Sequence, residues 1–134
     1  MEEYPHSELT RAIIGAAIDV QTELRPGLDE KLYERALCIA LGERGLRFVQ
    51  QPEYPVHFHD HLLGKLRPDL IVEDKIIVDA KCVECFTPAH DAQMLGYLNI
   101  TGLQIGLLLN FKVLPLGKRR VIRSQPTPPP VCAL

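Results

Sequence analysis

The stretch LRPDLIVEDKIIVDAKC, residues 66–82, decides how this chain folds. Two largely apolar segments, 67–72 and 76–82, flank the polar group Glu73-Asp74-Lys75, the pattern of two strands joined by a turn. Side chains alternate along a strand, so Asp79 and Lys81 face one way while Ile76, Val78, Ala80 and Cys82 face the other. The turn length fixes what Asp69 meets. A two-residue turn at Glu73-Asp74 pairs Asp69 with Val78 and sends the two aspartates to opposite faces. A three-residue connection pairs Asp69 with Asp79, and on the opposite face Leu70 with Val78 and Val72 with Ile76. The second register leaves one face wholly apolar, and it is the expected one.

Upstream, Ser7 is placed to cap a helix reaching about Thr22, with Leu9, Ile13, Ala16, Ala17 and Val20 on one stripe. Arg25-Pro26-Gly27 breaks it, and a second helix spans about 28–43. Short strands are expected at 48–51 and 54–59, with 62–65 pairing back across a turn at Asp60-His61. Downstream, Thr87-Pro88 starts a third helix that stops at Gly102. An apolar strand at 104–111 then returns parallel by the crossover, and 119–123 reads as an edge strand. The expected organisation is one α/β domain over residues 1–123 and a Pro-rich tail over 124–134.

Composition sets outer bounds. The 134 residues, 46% apolar and 24% charged, suffice for one core. The first ten residues lack the basic and apolar regions of a signal peptide, and no apolar run is long enough to span a bilayer, so a cytoplasmic protein without membrane contact is expected. Four cysteines are too scattered for a disulfide scaffold. A net charge of −2 argues against a protein that coats nucleic acid through Lys and Arg alone. It leaves open an enzyme that meets phosphate through a metal ion.

Three carboxylates stand where apolar residues belong. Glu30 lies on the second helix's stripe of Tyr33, Leu37, Ala40 and Leu41, and Asp69 and Asp79 lie on strands. Taken singly, each reads as a solvated charge at a helix start or strand end, because burying an unpaired carboxylate is costly. Taken together they are hard oxygen ligands from separate elements, the set that a divalent cation such as Mg²⁺ takes. Lys81 lies about 6.6 Å further along its strand from Asp79, within reach of a phosphate bound there.

Pro68-Asp69 followed by Asp79-Ala80-Lys81 resembles the PD-(D/E)xK nuclease signature. Gln93 and Tyr97, four apart on one face of the third helix, resemble the QxxxY motif of the RecB-like branch. Residues 27–33, GLDEKLY, match the motif of the GxxExxY protein family, and residues 90–93 and 101–111 are similar to that family too. The resemblance covers about residues 8–123. It implies a restriction-endonuclease-like core, a central mixed β-sheet flanked by helices, and Mg²⁺- or Mn²⁺-dependent hydrolysis of phosphodiester bonds. Carried over, it makes Glu30, Asp69 and Asp79 metal ligands. Lys81 then assists the attacking water, and Gln93 and Tyr97 orient water, lysine or phosphate. The implied partner is nucleic acid, DNA ahead of RNA, with a homodimer compatible with the sequence.

Two other patterns compete. His57, His59 and His61 alternate in HFHDH and, on a regular strand, project from one face as zinc ligands do; a solvated hairpin is the expected reading. Cys82 and Cys85 form a single CxxC without a second pair, and Cys82 falls on the apolar strand face. Beside the nuclease stands a second function, a non-catalytic binding module that keeps the fold, favoured by the small size and negative charge.

Overall fold

The computed structural model describes residues 5–124, so most of the Pro-rich segment lies outside the described residues. The elements run α1 (Ser7–Leu24), α2 (Glu30–Glu43), β1 (Phe48–Gln50), β2 (Tyr54–Phe58), β3 (His61–Leu66), β4 (Leu70–Val72), β5 (Ile76–Lys81), α3 (Pro88–Thr101), β6 (Ile105–Asn110) and β7 (Gly117–Ile122). Strands β1, β4, β5, β6 and β7 form one mixed sheet in that order, and β2 and β3 form a separate two-stranded sheet. Only β5 and β6 are parallel, joined by the α3 crossover.

The expected stripe of α1 is buried at Ile13, Ala16, Ala17 and Val20, but His6 rather than Ser7 occupies the cap position. Helix α2 begins at Glu30, later than expected, because Asp29 is extended and serves as its N-cap, while Gly27 makes the turn before it with a φ of 126° that a residue with a Cβ rarely adopts. Helix α3 begins as read, with Pro88 at its first turn and a reciprocal capping box between Thr87 and His90, and ends at left-handed Gly102.

The β4–β5 register is Leu70↔Val78, Ile71↔Ile77 and Val72↔Ile76, the apolar match foreseen. The turn itself combines both geometries considered. The Lys75 N–H donates to the Val72 carbonyl at 3.0 Å, with Glu73 and Asp74 both at positive φ, and Lys75 is the extra residue that shifts the ladder. Left-handed Glu73 is held from outside the hairpin. Its N–H donates to the Arg47 carbonyl at 2.9 Å, and its carboxylate accepts from the Arg47 backbone N–H at 2.7 Å.

Strand order departs from chain order at one point: β1 pairs with β4, and β2–β3 stands apart. Pro55 offers no N–H for a sheet interior, and both faces of β2–β3 are largely solvent-exposed.

Two cores sandwich the sheet. Helices α1 and α2 cover Leu70, Val72, Ile76, Val78, Ala80, Leu107 and Leu109 on one face. There the rings of Tyr33 and Phe111 stack with centroids 4.8 Å apart. Helix α3 covers Ile71, Ile77, Leu108 and Val121 on the other through Met94 and Leu98. Among the described residues no helix is long and apolar enough to cross a membrane.

Candidate functional site

Asp79 projects from β5 on the α3 face beside Ile77, and only 3% of it is exposed. Asp69 immediately precedes β4, one position beyond the Leu70↔Val78 pair, and so stands opposite Asp79. Hydrogen bonds tie the two together. The Asp69 N–H donates to Asp79 Oδ1 at 3.3 Å, and the Ala80 N–H donates to Asp69 Oδ2 at 3.1 Å. A third bond, from the Gln51 N–H to the Asp69 carbonyl at 2.8 Å, anchors Asp69 to the chain leaving β1. Burial, and then the neighbouring Asp79 charge, pushes the Asp69 carboxyl up to about 7. Burial likewise raises Asp79, against the favourable charge of Lys81.

Lys81 lies on the same face of β5. Its Nζ is 3.9 Å from Asp79 Oδ2 and donates to Gln93 Oε1 at 3.4 Å. Gln93 is exposed, on the first half of α3. Tyr97, one turn on, is partly buried, and its hydroxyl is raised by burial and then by the charges of Asp79 and Asp69. The QxxxY pair therefore spans the site, Gln93 at the lysine and Tyr97 toward the acids.

The GLDEKLY segment has a physical account residue by residue. Gly27 makes the turn. The Tyr33 hydroxyl closes it, accepting from the Leu28 N–H at 3.1 Å and donating to the Arg25 carbonyl. Glu30, the first residue of α2, is exposed rather than buried on the stripe; its Oε2 accepts the Cys82 N–H at 2.9 Å, and its charge reaches Asp79, adding to that carboxyl's upward shift.

Sequence reading missed Glu34. It is the buried carboxylate of α2, 5% exposed, accepting from the side-chain amides of Gln50 at 2.9 Å and Gln51 at 3.3 Å. Its charge adds to the upward pressure on both Asp69 and Asp79. The spacing 34, 37, 38, 41 placed it on the buried face alongside Leu37, Cys38 and Leu41, and that was the available signal.

The histidines do not converge. A bulge between Val56 and His57 pairs His57 with Leu62 and Phe58 with His61, so His57 and His61 fall on opposite faces of the hairpin. His59 sits in the turn with a φ of 54°, its ring stacked on Phe58. Cys82 packs against the α1–α2 core and Cys85 is exposed, both as free thiols.

Chemically, the site is a pair of hard-oxygen donors, Asp79 buried and Asp69 partly buried, whose ionised forms are disfavoured mainly by desolvation, with an ammonium alongside. That donor set suits a hard divalent cation, which relieves the repulsion. Among the described residues no three His, Cys, Asp or Glu side chains stand together closely enough to cage an ion. A family model described as the PD-(D/E)XK nuclease superfamily matches residues 7–123. No curated protein and no solved structure matches the chain.

Proposed function

The chain belongs to the PD-(D/E)XK nuclease superfamily, and from that membership and the site above we propose that it is a metal-dependent nuclease of the GxxExxY, RecB-like branch, acting on nucleic acid and on DNA in preference to RNA. The observation that carries this reading is the tied pair Asp69 and Asp79 with Lys81 Nζ 3.9 Å from the pair.

Asp69 and Asp79 would hold Mg²⁺ or Mn²⁺, with Glu30 joining from α2. The bound ion supplies an activated water and neutralises charge at the phosphate. Lys81 is a donor only and, held at its Nζ by Gln93, places a positive charge where the phosphate oxygens gain negative charge. Tyr97 offers a hydroxyl donor on the same side of the sheet. The domain occupies residues 1–123, works in the cytoplasm, and does not need residues 125–134 for folding.

The test is cleavage by metal-free protein to which Mg²⁺ or Mn²⁺ is returned, on single- and double-stranded DNA and on RNA. Metal-dependent cleavage lost in Asp79→Ala supports the reading; a folded protein that cuts none of them overturns it. A second reading, a non-catalytic module on the same fold, draws on Glu30 being turned to the Cys82 amide. Calorimetric titration separates the two, since no Mn²⁺ uptake at millimolar concentration supports the module.

A further inference from the structure

Five apolar residues, Ile105 to Leu109 with Gly106 among them, lead into Asn110, the last residue of a strand that is buried throughout. An amide at such a place is unfavourable unless its polar atoms are satisfied. Asn110 is 2% exposed, and both ends of its amide are used. Oδ1 accepts from the Val83 N–H and the Lys112 N–H, each at 3.1 Å, and Nδ2 donates to the Val83 carbonyl at 2.8 Å.

These bonds act on the chain just beyond Lys81. In the parallel ladder Asn110 is the partner of Lys81, and the Phe111 N–H donates to the Lys81 carbonyl at 2.9 Å. Beyond that bond β5 ends. The Phe111 bond holds the Lys81–Cys82 peptide and Asn110 holds the two peptides on either side of Val83, so the backbone of Cys82 is fixed from both sides. The Cys82 N–H, in the first of these peptides, points to Glu30 Oε2. The Lys81 side chain leaves on the opposite face, toward Asp79 and Gln93.

We propose that Asn110 is a positioning residue of the site: by clamping Val83 it aims the Cys82 N–H that holds the Glu30 carboxylate beside the Asp69–Asp79 pair. The inference rests on the nuclease reading for what Glu30 does, but the clamp is a separate, measurable thing. The molecule contains its own control. Gln21, 3% exposed, is a second buried amide from a different element, donating to the Phe111 carbonyl at 3.1 Å and the Val113 carbonyl at 2.7 Å. It anchors the chain leaving β6, and among the described residues its side-chain bonds go to Phe111 and Val113 rather than to 81–83.

The experiment uses the full chain as wild type, Asn110→Leu, Asn110→Asp, Gln21→Leu and Glu30→Gln, all at a temperature where each is folded. Three things are measured: amide hydrogen exchange at Cys82 and Val83, Mn²⁺ affinity by calorimetry, and Mn²⁺-dependent cleavage of DNA. In Asn110→Leu both amides exchange about tenfold faster or more. Its Mn²⁺ affinity falls about tenfold, the scale expected when a ligand loses its supporting partner. Combined with Glu30→Gln it weakens Mn²⁺ no further, because both changes remove one interaction. Asn110→Asp keeps the acceptor and lies between; it carries the test if Asn110→Leu does not fold. Gln21→Leu lowers the melting temperature and leaves the other readouts at wild-type values. The proposal is overturned if the Cys82 amide stays protected in the Asn110 variants, or if the Asn110 and Gln21 variants change Mn²⁺ affinity alike. A wild type that takes up no Mn²⁺ fails the nuclease reading and the role at the site together, and the exchange data then report separately whether the clamp exists.

Discussion

Two antiparallel hairpins follow one another in this chain, and they have opposite fates. In β4–β5 every residue is buried except Lys81, which is half-buried, and the strands lie inside a five-stranded sheet. In β2–β3 none is buried, with Phe58 60% and Leu63 66% exposed. Both are held by the same ladder bonds. What differs is the field around their polar side chains. In β2–β3 the cations Lys65 and Arg67 meet Glu53 in solvent, where an ion pair contributes little. In β4–β5 two carboxylates are desolvated next to each other, so each is held in an unfavourable state that a cation can relieve. Chemistry follows burial here more than it follows residue type.

The comparison breaks most sharply at the acids. Asp79→Ala should lose both Mn²⁺ binding and cleavage. Lys81→Ala should keep Mn²⁺ affinity and lose turnover by roughly 10²–10³-fold, since its charge acts on the phosphate. Single-turnover assays at saturating Mn²⁺ check this, and wild-type turnover in Lys81→Ala refutes the role given to the lysine. Next in size is packing. Leu70→Ala, at the fully buried pair with Val78, should cost about 2–5 kcal/mol in denaturant unfolding.

A smaller effect carries a sign. Asp69 has a folded-state value of about 7, above the ordinary carboxylate value of 3.8. The native state therefore holds the proton more tightly than the unfolded chain. Asp69's contribution is present in full below 3.8 and is lost as pH rises through about 7. Metal-free wild type should lose stability relative to Asp69→Asn over that window, and Mn²⁺ should close the gap. Thermal melts of the pair from pH 4 to 8 decide it; parallel curves would show that Asp69 is not strained. The smallest effect belongs to the exposed hairpin, where Leu63→Ala should shift stability by less than about 0.5 kcal/mol. A large loss there would mean that β2–β3 is not the open ribbon described.

The same contrast explains what could be read from the sequence. The β4–β5 register was legible because Leu70, Val72, Ile76 and Val78 satisfy only one pairing, and that pairing sets Asp69 opposite Asp79. Helix α3 was legible from Thr87, Pro88 and Gly102, which act locally. The pairing of β1 with β4 was not, because it bridges a whole hairpin and no local turn signals it. Glu34 was missed for a related reason. Its amide donors, Gln50 and Gln51, arrive from another element, and without them a buried glutamate is the costlier reading. Glu30 was read onto the buried stripe and is exposed at the helix start, because helical periodicity gives a face but not where the helix begins.

The turn joining β4 to β5 has a bearing on the order in which this protein assembles. Two consecutive non-glycine residues at positive φ make a poor nucleus for a hairpin. Glu73 finds its compensation in Arg47, which precedes β1 and reaches the turn only when β1 has docked. The segment that carries both aspartates is thus not a self-sufficient folding unit. A peptide of residues 66–83 should show little hairpin population in water, whereas Glu73→Gly or Asp74→Gly, in the peptide or in the whole chain, should speed closure of the ribbon. In the intact protein the acids are brought face to face late, once the strand that steadies their turn is in place.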